Sequence, residues 1–541
     1  MALAAVLLAA LLTVASAAQP PHIILIVADD LGFDDTSLRG SDQIPTPNLD
    51  ALAFSGAALG RYYVHALCTP SRAALLTGRL PTHTGLQTDV IYAAEPYGLG
   101  LNETLLPQLL EPLGYSCHAV GKWHLGFYRR AYTPSQRGFK SHLGFWAGHG
   151  DYYDHTAKEG EYWGLDLHRD LEPVGDQLGR YSTDIFTEEA ERLISAHNAS
   201  RPLFLYLAHQ AVHAGNSYAP LQPGPAIGAD QFPWITDPQR RAFAAVTAAL
   251  DAAVGRVVAA LARADLLSNS LIVVTTDNGG AVDGVDGNAA SNWPLRGGKY
   301  TLWEGGVRGS ALVWSPRLPR WSRPVQRTVH ITDWLPTLLE AAGGAPDRLP
   351  ALDGVSQWPV LTGAAPDQDT DRTILHNIDP SNNYSALMVD ARYKLVQGEP
   401  FPYNGWYSAG ARNSSGLDMF ALLSESPAGQ AVSQLGRPVD RETADSLRRQ
   451  LAVECDTERP TAAHCADGCV FDVVADPCET TDLSDTQPLL RRQLEERLDQ
   501  LRASMVPSRK VPADPRADPK LWNYTWTYWA DLLPDGCPQP P

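Results

Sequence analysis

Cys68-Thr69-Pro70-Ser71-Arg72-Ala73-Ala74-Leu75-Leu76-Thr77-Gly78-Arg79 is the stretch around which the chain is organised. Pro70 stands where a first helical residue is favoured, a short apolar run follows, and Gly78 can close the turn. The spacing therefore predicts a short helix with Cys68 just before its N-terminus. Unpaired backbone N–H groups and the positive end of the helix dipole make such a place suited to anions. Arg72 adds a planar guanidinium fork that matches tetrahedral oxyanions, and a thiol in this field is expected to ionise easily.

Outward from this stretch, three apolar runs read as strands buried in a parallel sheet, His22–Ala28, 202–208 and 271–276, and a further strand is expected near 115–120. Open α/β sheets place their sites at the carboxyl ends of strands. The residues delivered there are Asp29-Asp30, His209 to His213, and Asp277-Asn278, while Lys122 and His124 could by themselves be surface residues flanking Trp123. Asp29, Asp30, Asp277 and Asn278 are four hard oxygen donors, three of them anionic. They suit Ca²⁺ or Mg²⁺ better than a thiol- or imidazole-preferring metal, and Ca²⁺ tolerates an irregular shell better. A capping role for one of the aspartates is the structural alternative.

Between these runs, a helix capped by Thr46 reaches about Ser55, an amphipathic helix spans 101–114 and closes at Gly114, and a long Ala-rich scaffold helix covers 237–267. From Arg137 to Asp170 the chain is aromatic and Gly-rich, with Trp146, Tyr152, Tyr153 and Trp163. Such a stretch either shapes a pocket or packs loop against loop, and the residues alone leave both open.

The Cys68–Arg79 run resembles the signature of the type I sulfatases of the alkaline phosphatase superfamily, C-x-P-S-R followed by L-L-T-G-R. Gly121-Lys122-Trp123-His124-Leu125-Gly126 resembles their second signature, and Arg296-Gly297-Gly298-Lys299 with Trp303–Arg308 looks like their R-G-x-K…W-E-G-G-V-R block. The pattern is closest to the arylsulfatase B-like (N-acetylgalactosamine-4-sulfatase) branch. That likeness rests on C-T-P-S-R, Q-x-V-H at 210–213, N-W-P-L-R-G-x-K at 292–299, I-L-H-N-I-D-P at 374–380, and the tail at 514–520.

The resemblance implies a large mixed, mostly parallel sheet sandwiched by helices, followed by a smaller C-terminal α+β domain. It also implies that Cys68 is oxidised to formylglycine by a formylglycine-generating enzyme and works as the hydrate. Asp29, Asp30, Asp277, Asn278 and residue 68 would then hold one Ca²⁺. Arg72, Lys122, His213 and Lys299 would bind the sulfate ester, His213 would protonate the leaving oxygen with help from Lys299, and His124 would assist release of sulfate. His209 is left as structural. The activity implied is hydrolysis of sulfate monoesters, with sulfated sugars or aryl sulfates as substrates. The competing readings are a phosphatase or phosphodiesterase of the same superfamily, a glycan-binding pseudoenzyme with an unmodified Cys68, and a cysteine hydrolase using Cys68 with His124.

The 541 residues suggest two domains, expected at 18–375 and 376–541, with a polar boundary at 365–380 and no internal repeat. A net charge of −18 argues against nucleic acid and membrane surfaces as partners, so an anionic substrate must meet a local basic site. Residues 1–17 end in Ala15-Ser16-Ala17 and read as a secretory signal, and no later run suggests a stable membrane insertion. Besides Cys68 there are Cys117, Cys455, Cys465, Cys469, Cys478 and Cys537, an even six that could form three disulfides. His464 with Cys465 and Cys469 could instead make a zinc knuckle. Sequons at Asn102, Asn198, Asn383, Asn413 and Asn523 fit a secretory-pathway glycoprotein, lysosomal or extracellular.

Overall fold

The run His22–Ala28 forms strand β1, buried at every residue, in the middle of a nine-stranded sheet. The computed structural model describes residues 19–369, 371–407, 414–455 and 464–534. The expected leader, the Asn413 sequon and Cys537 lie outside them. The other strands, in chain order, are Ala57–Ala58 (β2), Ser116–Gly121 (β3), Ser141–Gly144 (β4), His168–Arg169 (β5), Glu172–Pro173 (β6), Leu203–Ala208 (β7), Ser270–Thr276 (β8) and Ala311–Trp314 (β9). Across the sheet they run β2-β9-β8-β1-β7-β3-β4-β5-β6. The central five, β8 to β4, are parallel, and the flanking pairs are antiparallel. The sheet is the mixed, mostly parallel one that the resemblance implies.

Register decides where the chemistry lies. Ala28 pairs with Thr276, Val27 with Ala208, and Ala208 with Gly121, so β8, β1, β7 and β3 end together. The residues that follow, Asp277, Asp29, His209 and Lys122, therefore leave one edge of the sheet side by side.

Helices Pro47–Ser55 (α1), Cys68–Thr77 (α2), Ser182–Ser195 (α3), Pro238–Arg263 (α4) and Trp334–Ala341 (α5) cover the two faces. Ile24, Ile26, Leu205, Leu207 and Ile272 face Leu52 of α1, Ile185 of α3 and Val254 of α4. Ile23, Leu25, Val27, Phe204 and Val273 pack with Leu75 and Leu76 of α2 and Leu335 of α5. Burial on both sides explains why these strands read as continuous apolar runs instead of alternating ones. Helix α4 is apolar and long enough to cross a membrane, but 72% of its most apolar stretch is buried inside the protein.

A smaller antiparallel sheet follows: Ile374–Asp379 (β10), Tyr384–Val389 (β11), Tyr393–Gln397 (β12) and Cys469–Asp472 (β13). One face packs on Leu494 and Leu498 of helix Pro488–Arg502, and the other packs on Tyr63, Trp303 and Val307 of the larger unit. Lys394, fully buried, bridges Glu304 at 3.0 Å and Glu479 at 2.8 Å across that junction. Helices Met419–Glu425, Pro427–Gln434 and Arg441–Leu451 return to the α1 and α4 layer, and Trp526 and Trp529 of the tail join the core around Trp123.

One local expectation is corrected, and the disulfide reading is borne out in part. The helix expected over 101–114 begins only at Leu106, and after Leu110 it tightens into a 3-10 turn closed by Gly114 at φ 94°. Pro112 explains the change, since it has no N–H for the α-helical ladder. The bridges are Cys455–Cys478 and Cys465–Cys469, which excludes the zinc knuckle. Cys117 is a buried free thiol in the middle of β3, directed at the Pro107 carbonyl, so the third expected bridge is not formed among the described residues.

Candidate active site

Helix α2 begins at Cys68 itself, with Leu67 as the extended cap residue, and ends at Gly78 in the left-handed conformation at φ 68°. Its N-terminus points Cys68 into a cavity of about 440 Å³ that is also lined by His124, Gly148, His149, His213, Asp286 and Lys299. The thiol does not ionise easily there. Burial pushes it well above its ordinary range, and the attraction of Lys122 and Lys299 does not reverse this. The helix-dipole argument fails because Cys68 is 2% exposed and its Sγ lies 3.7 Å from Asp29 Oδ1.

Below the thiol the buried acids and bases interlock. Lys122 Nζ donates to Asp29 Oδ2 at 2.7 Å. Arg72 places Nε and Nη2 on Asp277 Oδ2 at 3.0 and 2.7 Å, while its Nη1 is buried with no partner among the described residues. Burial opposes ionisation of Asp277, but Arg72 and Lys122 outweigh it and hold the carboxyl down to about 2. For Asp29, burial and the neighbouring Asp277 carboxylate push the group up to about 7. Asn278 Nδ2 donates to Asp30 Oδ1 at 2.7 Å, and Asn278 Oδ1 has no partner among the described residues. Asp30 itself turns in the left-handed region, φ 58°, which brings its carboxylate back over the strand end.

This donor set fits a hard cation. Four oxygen-bearing side chains lie fully buried at two adjacent strand ends, one acceptor is orphaned, and burial beside Asp277 makes one carboxylate, Asp29, hard to ionise. Asp29, Asp30, Cys68 and His213 bring ligand atoms within 4.8 Å of one another. Asp277, by contrast, directs its carboxylate at Arg72. Among the described residues no second cluster of this kind occurs, as two zinc ions would require.

The base side is equally tight. Lys299 Nζ reaches Asp30 Oδ2 at 2.8 Å, Asp286 Oδ2 at 2.8 Å and His213 Nε2 at 3.1 Å. Burial opposes the lysine charge, but Asp30, Cys68 and Asp286 outweigh it and hold the pKa well above the ordinary range. His213 Nδ1 donates to the Ala214 carbonyl at 2.7 Å, which leaves Nε2 as the acceptor. Burial and then Lys299 lower His213 to about 4. His124, at φ 58°, places Nε2 on the Ile91 carbonyl at 3.1 Å and leaves Nδ1 without a partner among the described residues. His209 stays out of the cavity, fully buried near Phe186.

The aromatic stretch 137–170 resolves mainly into packing. Trp146 stacks on His168 at 3.7 Å, and the Tyr152 hydroxyl holds the His213 carbonyl at 2.8 Å. Gly148 and His149 reach the cavity instead, with His149 parallel to His213 at 5.6 Å. Asp286 and His149 are the site residues that the sequence reading missed. The signal for Asp286 was an acid set between Gly284 and Gly287 in the loop after β8, where its own φ is 54°.

Comparison with known proteins places this arrangement. The sulfatase family model matches residues 21–345. Arylsulfatase J of Mus musculus is 37% identical over 517 residues, covering 94% of this chain and 80% of that protein. N-acetylgalactosamine-6-sulfatase of Canis lupus familiaris is 34% identical over 391 residues, covering 69% of this chain and 71% of that protein. The crystal structure of Ps i-CgsB in complex with k-i-k-neocarrahexaose superposes with a TM-score of 0.70 at 25% identity, covering 96% of this chain and 98% of that one. With its cysteine-headed helix, oxygen-donor cluster and paired lysines in one cavity, the chain belongs to the sulfatase family and is a sulfuric ester hydrolase.

Proposed function

We propose that the chain removes sulfate from sulfated sugars in this cavity, with residue 68 as formylglycine and one Ca²⁺ held by Asp29, Asp30, Asp277, Asn278 and residue 68. One observation carries the reading: Cys68, His124, His213 and Lys299 share the cavity directly above Arg72, Lys122 and the buried oxygen donors. Bound Ca²⁺ would supply Lewis-acid polarisation of a sulfate oxygen. A formylglycine hydrate would supply one hydroxyl to attack sulfur and a second through which sulfate is released.

The remaining work falls to this chain's own side chains. Arg72 and Lys122 neutralise charge gathering on the sulfate oxygens, each contact worth roughly 2–4 kcal/mol. Lys299 and His213 form the proton path to the departing sugar oxygen, since the ammonium already donates to Nε2 at 3.1 Å. His124 Nδ1, a bare acceptor, takes the proton when sulfate is released.

Membership of the arylsulfatase B-like branch and conversion by a formylglycine-generating enzyme are part of the same proposal, supported by the residues quoted above. So is a secretory route with cleavage after residue 17. Two disulfides suit an oxidising compartment, and the sequon residues Asn102, Asn198, Asn383 and Asn523 are exposed. The domain division 18–375 and 376–541 is proposed on the change from the mixed to the antiparallel sheet at Ile374. The test is hydrolysis of nitrophenyl sulfate by protein from a eukaryotic secretory host. Turnover that is lost with EGTA and restored by Ca²⁺ supports the reading, and a protein that never turns over contradicts it.

A further inference from the structure

A second cavity, about 390 Å³, adjoins the first, and Tyr92 and Tyr300 line both. Leu67 and Pro70, on either side of Cys68, also form part of its wall, so its occupant would lie next to the reacting centre. Its far wall comes from the smaller sheet: Asn377 and Asp379 of β10, Tyr384 at the start of β11, and then Phe401. The rings are arranged in series, with Tyr300 5.8 Å from Phe401 and Phe401 6.1 Å from Tyr384. Tyr92, 43% exposed, adds a further aromatic face.

The one lysine of this cavity, Lys510, is already engaged, by Glu95 at 3.0 Å, Asp89 at 3.3 Å and the Val90 carbonyl at 2.8 Å. Asp379 receives only neutral donors, from Thr88, Ser381 and Asn382. The wall holds two carboxylates, Asp89 and Asp379, as acceptors. A sulfate or a uronate placed here would meet the Asp379 carboxylate, which has no cationic partner among the described residues. A ring with hydroxyl donors and an apolar C–H face meets acceptors and aromatic planes instead.

We infer that this cavity is a subsite for an uncharged sugar ring joined to the sulfated ring in the first cavity, so that the preferred substrate is a sulfated oligosaccharide and not a free monosaccharide sulfate. The inference rests on the sulfatase reading above and adds the neighbour's chemistry to it. It also gives the smaller sheet a part in substrate choice.

The experiment compares kcat/KM for N-acetylgalactosamine 4-sulfate and 6-sulfate, free, linked to galactose and linked to glucuronic acid, with nitrophenyl sulfate as a probe of chemistry alone. The galactose-linked compound of the accepted sulfate position is expected to exceed the free sugar by roughly tenfold, and the uronate-linked one to show no such gain. Phe401→Ala is expected to erase the gain while nitrophenyl sulfate hydrolysis is unchanged. Asn382→Arg, at an exposed rim position, is expected to move preference toward the uronate-linked compound. Wild-type protein that hydrolyses nitrophenyl sulfate but favours no galactose-linked compound overturns the inference and leaves the sulfatase reading standing. An intact preference in Phe401→Ala together with no shift in Asn382→Arg overturns it too. Absence of nitrophenyl sulfate turnover contradicts the sulfatase reading itself, and this inference with it.

Discussion

Lys299 Nζ lies 3.1 Å from His213 Nε2, and the same ammonium is held by Asp30 and Asp286 at 2.8 Å each. All three of its N–H groups are thus used inside the protein, and the one aimed at the imidazole points along the proposed route to the leaving oxygen. Lys299→Ala is expected to lower kcat by about 10²- to 10⁴-fold on a sugar sulfate. The loss should be much smaller on nitrophenyl sulfate, whose leaving group needs little protonation. Equal losses on both substrates would remove the lysine from proton transfer.

Gly148 is held to its size by His124. A Cβ at that position would sit 2.8 Å from the imidazole ring. Gly148→Ala should push the ring off its Ile91 contact and cost roughly 10²-fold in kcat through misplacement alone. Thermal melting should move little, because the strain falls on one side chain lining a cavity. A variant with wild-type kcat would show that His124 can shift freely.

Removal of the cation is expected to destabilise as well as inactivate. Asp29, Asp30, Asp277 and Asn278 are fully buried, and Asn278 Oδ1 has no partner among the described residues. Adding Ca²⁺ at 100 times its Kd should stabilise by about 2.7 kcal/mol, read as a concentration-dependent rise in Tm. Asn278→Leu should weaken that dependence. A Tm indifferent to Ca²⁺ and to EGTA would count against the site.

His209 offers a pH signature separate from catalysis. Burial, with Arg256 second, lowers it to about 3, and neither ring nitrogen has a partner among the described residues. The unfolded chain takes up the proton first, so the neutral ring's stabilising contribution is complete above the unfolded value near 6.5. It is lost as pH falls toward about 3. The stability of wild type relative to His209→Gln should therefore fall by about 1.4 kcal/mol per pH unit below 6.5. Comparing the pair cancels the carboxylates that titrate over the same range, and a pH-independent difference would contradict the assignment.

Much of this molecule is legible in its sequence because its central strands are covered on both faces. Ile23 to Val27 and Leu271 to Val274 had to be apolar without alternation, and that pattern located the strand ends where Asp29 and Asp277 stand. The thiol of Cys68 was misjudged for the opposite reason: helix position can be read from spacing, but burial beside Asp29 cannot. Asp286, His149 and the walls of the second cavity come from loops and from a separate sheet, and only the tertiary fold brings them together. The helix Arg441–Leu451 was readable in principle, since Ala444, Leu447 and Leu451 recur at helical spacing and are buried.

The most direct test of the central claim is the mass of the tryptic peptide Tyr62–Arg72 from protein made in a eukaryotic secretory host. The account predicts a peptide lighter by the difference between CH₂SH and CHO at residue 68, in preparations that hydrolyse nitrophenyl sulfate. An unmodified Cys68 in an active preparation would contradict it.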